Sequence, residues 1–406
     1  MLGGVTLSEQ AAEDLIAARA FSSGLPGFVG IAVDLLLDPA CAPTGRRPLR
    51  HGFLDTRSPR LLVVSGPPSP GIEVALKRMT DDLAAAGRVV EGHGLTVLAQ
   101  ATDTAHPEGP AHALGTATAG IRVGLEAGLD GGGPLGIDHR WALAHTLAPV
   151  LAASFANAPL RHGRPTGWRS VRQSLRRDTP VLPPVVGSPF SDSPTIDGFS
   201  AVDGGSAVLG GSAVDGGSAV AGGSAVDGGS FFGGGSLPSD PARSWAAHAM
   251  NAPTATGRTL RQAIRAGARL TPDDVDRHLA ALRPPVAARG HLEIDVADRQ
   301  PGTGWRIPAV VAAALIDDPR AADEAWQATA HLGAEPRLWE RAARDALTDT
   351  TLAAAARDCF MAAYGALARL GVSRELRDDV AEFTERYVFR GRCPADDVLD
   401  QVAARS

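Results

Sequence analysis

Residues 27–39, GFVGIAVDLLLDP, form a nearly unbroken apolar run that stops at Asp-Pro, the pattern of a buried strand. RLLVVSG (60–66), GLTVLAQA (94–101) and TAGIRVGLEAG (118–128) share that texture and predict three more strands. Helical periodicity lies around them. In TLSEQAAEDLIAARAF, Thr6 is the expected N-cap of a first helix, with Glu9 three residues on. PPSPGIEVALKRMTDDLAAAGRVVEGHG predicts a second helix, opened by proline and closed by glycine. A third, long and apolar, covers 137–156 and ends at Asn157-Ala158-Pro159.

RHGRPTGWRSVRQSLRRD (161–178) is basic and loop-like, and a Pro/Ser/Gly region fills 179–239. Helical texture resumes at 244–253 and 270–282, and HLEIDVAD (291–298) predicts one more strand. The remainder predicts helices at 305–317, 319–332, 335–347, 350–370, 373–390 and 394–405. The single late strand needs a sheet to join. The expected architecture is one α+β domain in which helices cover an antiparallel or mixed sheet. Residues 1–178 form its first part, 179–239 a low-complexity insert and 240–406 its mostly helical remainder. Two domains divided at the insert is the alternative.

Composition narrows the picture. Aromatic residues make up only 5% of the 406, so aliphatic residues and alanine must fill the core. Lys77 is the one lysine, so nearly all positive charge is arginine. A net charge of −6 argues against nucleic acid or an anionic membrane as the main partner. Cys41, Cys359 and Cys393 are too scattered for a disulfide framework or a zinc site and fit a reducing, cytoplasmic setting. The N-terminus lacks a basic-then-apolar leader, and no apolar run is long enough to span a bilayer.

Eight segments, in order, carry a family likeness: VGIAVDLLLDP, VVSGPP, TATAGIRVGLEAG, SFANAPLRHGRPTGWRSVRQ, DPARSWAAHAMNAP, RPPVAARGHLEIDVAD, WRIPAVVAAALIDDPRAADEA and CPADD. Together they resemble bacterial glutamate–cysteine ligases, specifically the actinobacterial type that makes γ-glutamylcysteine for ergothioneine. The resemblance implies a glutamine-synthetase-like carboxylate–amine ligase fold, with a mostly antiparallel sheet forming a funnel. It also implies that ATP phosphorylates the glutamate γ-carboxylate and that the cysteine amine displaces phosphate. Such a transfer needs Mg²⁺ held by carboxylates.

The chemistry-bearing positions depart from that pattern. The family's first strand carries Gly-x-Glu-x-Glu, whose alternate acids face one side. Here Gly30-Ile31-Ala32-Val33-Asp34 keeps one acid, shortened by a methylene. On the second strand two acid positions fall on Arg57 and Val63, ahead of a retained Ser65-Gly66-Pro67-Pro68. Gln-Val-Asn-Leu becomes Arg122-Val123-Gly124-Leu125, and Leu-Glu-Ile-Arg becomes Leu292-Glu293-Ile294-Asp295. HPEGPAHALG and the stretch from Pro253 to Leu270 look shortened. The resemblance therefore leaves Asp34 and Glu293 as residual metal candidates, with Mg²⁺ and ATP as cofactors only if ligation is retained.

Arginines gather instead. Arg172 matches a family arginine implied to contact carboxylate or phosphate. With Arg164, Trp168, Arg122 and Arg57 it makes the candidate site for an anionic or amino-acid-like small molecule, since guanidinium suits planar bidentate recognition. A solvated basic loop is the competing account of the arginines from Arg161 to Arg177 other than Arg172. No catalytic residue is assigned. His291 and Glu293 would face the same way on a strand and could bind metal or move protons, against a merely exposed histidine. His139 and His145 lie six apart and do not share a helix face, and His248 reads as a filler. Cys359 reads as core. Cys393 opens a helix, where a thiol's pKa can fall, but reads as scaffold.

Three functions stay open: a divergent ligase-like protein repurposed for another substrate after losing Mg-ATP ligation, a still-active carboxylate–amine ligase, and a non-catalytic partner of a true ligase. The loudest feature, SAVDGGSAV and its period-six copies from Ser200 to Ser230, offers one valine and two glycines per unit. That is too little apolar surface to offset the entropy of so much glycine, so a flexible linker is expected rather than a β-helix.

Overall fold

The computed structural model describes residues 6–38, 43–102, 118–131, 133–161, 163–175, 240–254 and 256–405. The glycine-rich repeat, the HPEGPAHALG loop and Cys41 lie outside them. Helix α1 (Glu9–Ala18) precedes the long strand β1 (Phe28–Asp38). Strands β2 (Arg47–Pro48), β3 (Phe53–Ser58), β4 (Leu61–Ser65) and β5 (Ser69–Pro70) lead to α2 (Ile72–Gly92). Next come β6 (Thr96–Val97), β7 (Gly120–Leu125), α3 (Ile137–Ser154), a hairpin of β8 (Leu160–Arg161) and β9 (Arg164–Pro165), and the short α4 (Val171–Ser174). Helices α5 (Pro241–Asn251), α6 (Leu260–Arg265) and α7 (Pro272–Ala281) follow the insert, then β10 (Val286–Ala288) and β11 (Leu292–Asp298). The chain closes with α8 (Arg306–Asp317), α9 (Pro319–Thr329), α10 (Leu338–Arg344), α11 (Thr350–Leu367), α12 (Arg374–Arg386) and α13 (Pro394–Ala403).

Apart from the β8–β9 hairpin, which stands as its own two-stranded sheet, the strands form one antiparallel sheet in the order β10-β11-β7-β1-β4-β3-β2, with β5 and β6 also paired to β1. The late strand thus sits beside β7, between its own hairpin partner and the earlier strands. Residues alternate between faces along each strand. Val29, Ile31, Val33 and Leu35 of β1, Ile121 and Val123 of β7, Leu62 and Val64 of β4, and Ile294 of β11 share one buried core with α2, α3 and α8. The opposite face carries Gly30, Ala32 and Asp34, then Arg122 and Gly124, then Glu293. It ends at a small separate apolar cluster of Leu36, Leu61 and Ala119.

Several local expectations shift. Ser8, not Thr6, caps α1, its hydroxyl accepting from the Ala11 N–H. α2 is opened by Gly71 at φ +79°, while the preceding Pro70 is spent in β5. The strand expected over 94–101 shrinks to Thr96–Val97. The basic stretch folds into the β8–β9 hairpin and α4, which Ser170 caps. β3 was invisible because its FLDTRS sequence lacks an apolar run; only Leu54 is buried. It is held partly through a turn at Gly52, where Asp82 accepts the His51 and Gly52 N–H groups at 3.0 and 2.8 Å. A side chain at Gly52 would begin 2.0 Å from the Ser65 carbonyl.

Candidate functional site

The second face of the sheet gathers charge that the sequence spreads over 260 residues, and nearly every charge there has a partner. Register places Ala32 opposite Arg122 and Gly30 opposite Gly124, with Glu293 beside Gly124 on the far strand. Arg122 reaches one step along to Asp34, Nη1 to Oδ1 at 3.2 Å, and both are nearly inaccessible. The other Asp34 oxygen accepts the Gly120 N–H at 3.1 Å. Burial alone would lower the Arg122 pKa, but Asp34, Asp295 and Glu293 raise it above the ordinary arginine value. Arg299 closes over this pair, donating to the Asp34 carbonyl at 3.0 Å.

Arg172 lies at the edge of the same face. Its guanidinium pairs with Asp295, donates to the Ala297 carbonyl at 3.2 Å and lies 3.7 Å from Asp298. Gly120 makes room for it: a Cβ there would fall 2.3 Å from the Arg172 guanidinium carbon. Asp298 also accepts from Ser170 Oγ at 3.0 Å and the Asn157 N–H at 2.8 Å, which fixes α4 against β11. At the other end, Glu293 pairs with Arg289 at 2.9 Å. Burial pushes the Glu293 carboxyl up, but Arg289 and then Arg122 outweigh it and hold it below the usual value.

The sequence candidates therefore do not converge as a set. Asp34 and Glu293, expected as residual metal ligands, sit in separate ion pairs. Arg122 and Arg172 face the sheet but are already neutralised by aspartates. Arg164 is exposed in the hairpin and Trp168 is half-buried beside it. Arg169 turns away to Asp396 at 3.1 Å. Arg57 is exposed, at the bulge in β3, with no hydrogen bond or ion pair among the described residues. Partial desolvation of its guanidinium and then Arg122 lower its pKa from the ordinary value, while Asp34, Asp295 and Glu293 pull the other way. Sequence reasoning missed Arg283 and Arg289. The available signal was the hairpin: Ala287 pairs with Glu293 and Ala288 with Leu292, so Arg289 enters the turn within reach of Glu293.

The other candidates resolve into the scaffold. His291 is exposed and covers Gly124, whose Cβ would lie 3.1 Å from the ring. His145 is buried against Trp141, and burial pushes it down to about 3. His139 lies tilted against Trp326, and His248 stacks on Trp245. Cys359 is core, and burial raises its thiol. Cys393 caps α13 by a reciprocal bond with Asp396, and burial raises that thiol too, against the low value that a helix start alone favours.

A family model described as glutamate-cysteine ligase family 2 matches residues 59–405. The chain belongs to that family. It is 30% identical to the glutamate–cysteine ligase EgtA of Mycolicibacterium smegmatis, over 98% of this chain and 93% of the relative. Identity to the EgtA of Mycobacterium tuberculosis is 31%, over 84% of this chain and 75% of the relative.

Membership implies Mg²⁺ and ATP, and the donor set can be tested against them. Magnesium is octahedral and needs at least one or two free carboxylates, with waters and phosphate oxygens filling the remaining positions. Among the described residues no group of three or more His, Cys, Asp or Glu is placed to hold a metal ion. Asp34, the acid best placed on β1, faces a buried guanidinium. The described residues do not fit the family's metals.

Proposed function

We propose that this member of the glutamate–cysteine ligase family keeps the glutamine-synthetase-like carboxylate–amine ligase fold but has exchanged Mg-ATP ligation for metal-free binding of an amino-acid-like or anionic small molecule, as part of specialised metabolism. The observation that carries this is the buried Arg122–Asp34 pair at 3.2 Å. An arginine stands inside the cluster of positions where the family needs acids, and its charge is opposite to that of a metal ligand. Mg²⁺ would have to displace a guanidinium already desolvated and paired, leaving that cation buried beside it, which is strongly unfavourable. Without metal, an anion is drawn to the arginines that remain unpaired.

The reading is tested with the full chain, glutamate, cysteine and Mg-ATP. No γ-glutamylcysteine and no substrate-dependent ADP release are expected, and ATP should bind no better with Mg²⁺ than with EDTA. Steady product formation would overturn it in favour of a ligase with rearranged metal ligands.

A further inference from the structure

Between α8, the end of α12 and α13 lies a cavity of about 330 Å³, near the small end of the range for ligand pockets. Ile307, Phe383, Tyr387, Pro394 and Val398 give it apolar walls. A second cavity of about 320 Å³ shares Asn157, Pro301, Val398 and Gln401 with it, so the space continues along α13. No residue that lines the first cavity belongs to a strand, and the charged face of the sheet contributes nothing to it.

Two buried amides line this cavity. Gln300 is only 3% exposed, and its side-chain nitrogen is used twice, donating to the Phe155 and Asp298 carbonyls at 3.0 Å each. Asn157 donates its side-chain nitrogen to the Arg299 carbonyl at 2.8 Å and its backbone N–H to Asp298 at 2.8 Å. These bonds fix both amides with their nitrogens turned into the protein. Neither side-chain oxygen has a partner among the described residues, and neither is sealed off, so both open on the space they line. The one charged pair at the wall is already met: Asp397 accepts from Arg386 at 2.6 Å, Tyr387 Oη at 2.7 Å and Arg392 at 3.3 Å.

We propose that this cavity binds a neutral aromatic primary amide, with its ring among the apolar walls and its NH₂ group on Gln300 Oε1 and Asn157 Oδ1. A primary amide carries two N–H donors in one plane and no charge. A carboxylate in its place would bring lone pairs against two oxygens and Asp397, and a cation would meet Arg386. The selectivity comes from the cost of covering a fixed acceptor without giving it a donor. Gln401, exposed on α13 with no side-chain hydrogen bond among the described residues, is placed to answer the amide's own oxygen. The proposal goes beyond the metal-free reading and does not depend on it.

Ligand-observed NMR titration of the full chain tests it with three probes of similar shape: benzamide, N,N-dimethylbenzamide and benzoate. Benzamide is expected to bind, and the two probes without N–H donors to bind about tenfold more weakly. Gln300→Leu should level the three, but it also breaks two structural hydrogen bonds and should melt lower. Val398→Phe carries no such cost, because Val398 is half-buried and the larger ring only fills the cavity. It should melt like the parent and lose benzamide binding by about tenfold or more. Equal binding of the three probes to the parent, binding of none of them, or undiminished benzamide binding to Val398→Phe overturns the proposal.

Discussion

The two faces of β1 answer to different physics. Toward the helices, Val29, Ile31, Val33 and Leu35 are each no more than 4% exposed and belong to one core with α2, α3 and α8. Toward the other side, Gly30, Ala32 and Asp34 share a face with Arg122 and Glu293, and Asp34 is paired with Arg122 and bonded through its carbonyl to Arg299. The apolar face is constrained by volume, because a close-packed interior registers the loss of a single methylene. The charged face is constrained by pairing: an acid can vanish if an arginine arrives to meet what is left.

The contrast makes opposite forecasts for rescue. Arg122→Ala removes one half of a buried pair and strands Asp34, so it should cost about 3–5 kcal/mol in denaturant unfolding. Adding Asp34→Leu to Arg122→Met should return most of that stability, because a buried pair replaced whole by apolar residues is often neutral or better. If the double variant stays as unstable as Arg122→Ala, the pair is welded into the sheet and the charged face is as volume-bound as the other.

Leu62, on β4 and fully buried against the helices, is the matched control. Leu62→Ala should cost about 2–5 kcal/mol through lost transfer energy and the cavity it leaves. No charge partner exists whose removal could restore it. A loss under about 1 kcal/mol would mean that the apolar face collapses easily, and the comparison would then lose its rigid half.

The sequence made the apolar half of this comparison visible and most of the charged half obscure. Apolar runs and helix caps announce β1, β4, β7, β11 and the late helices, since each signal is local. β3 and β10 stayed hidden: one is polar along most of its length and the other is three residues long. Family motifs located the face through Asp34, Arg57, Arg122 and Glu293. They could not reveal that Arg122 meets Asp34, because a strand pairing joins residues 88 apart. Within the basic stretch the resemblance set Arg172 apart from Arg164 and Arg169, but no local pattern showed what it would meet. The cap at Ser170 and the space over Gly120 send only Arg172 into the sheet.

The smallest forecast concerns the open end of the charged face, where Arg289 and Glu293 are only partly buried. The folded carboxyl lies below its ordinary value of 4.5 because Arg289 and Arg122 outweigh burial. A depressed acid contributes stability that is complete above the unfolded value and lost as pH falls through the folded one. Wild-type stability should therefore drop below about pH 4.5 in part through Glu293. Other paired acids, among them Asp318 and Asp349, titrate in the same direction, so the wild-type curve alone cannot isolate it. The difference between wild type and Glu293→Gln can. It should be constant at neutral pH and shrink on acidification, as the wild type loses an ion pair that the variant never had. A difference that does not change with pH would mean that the Arg289–Glu293 contact carries no net electrostatic stabilisation. Charge matching would then govern only the buried centre of this face, around Arg122 and Asp34.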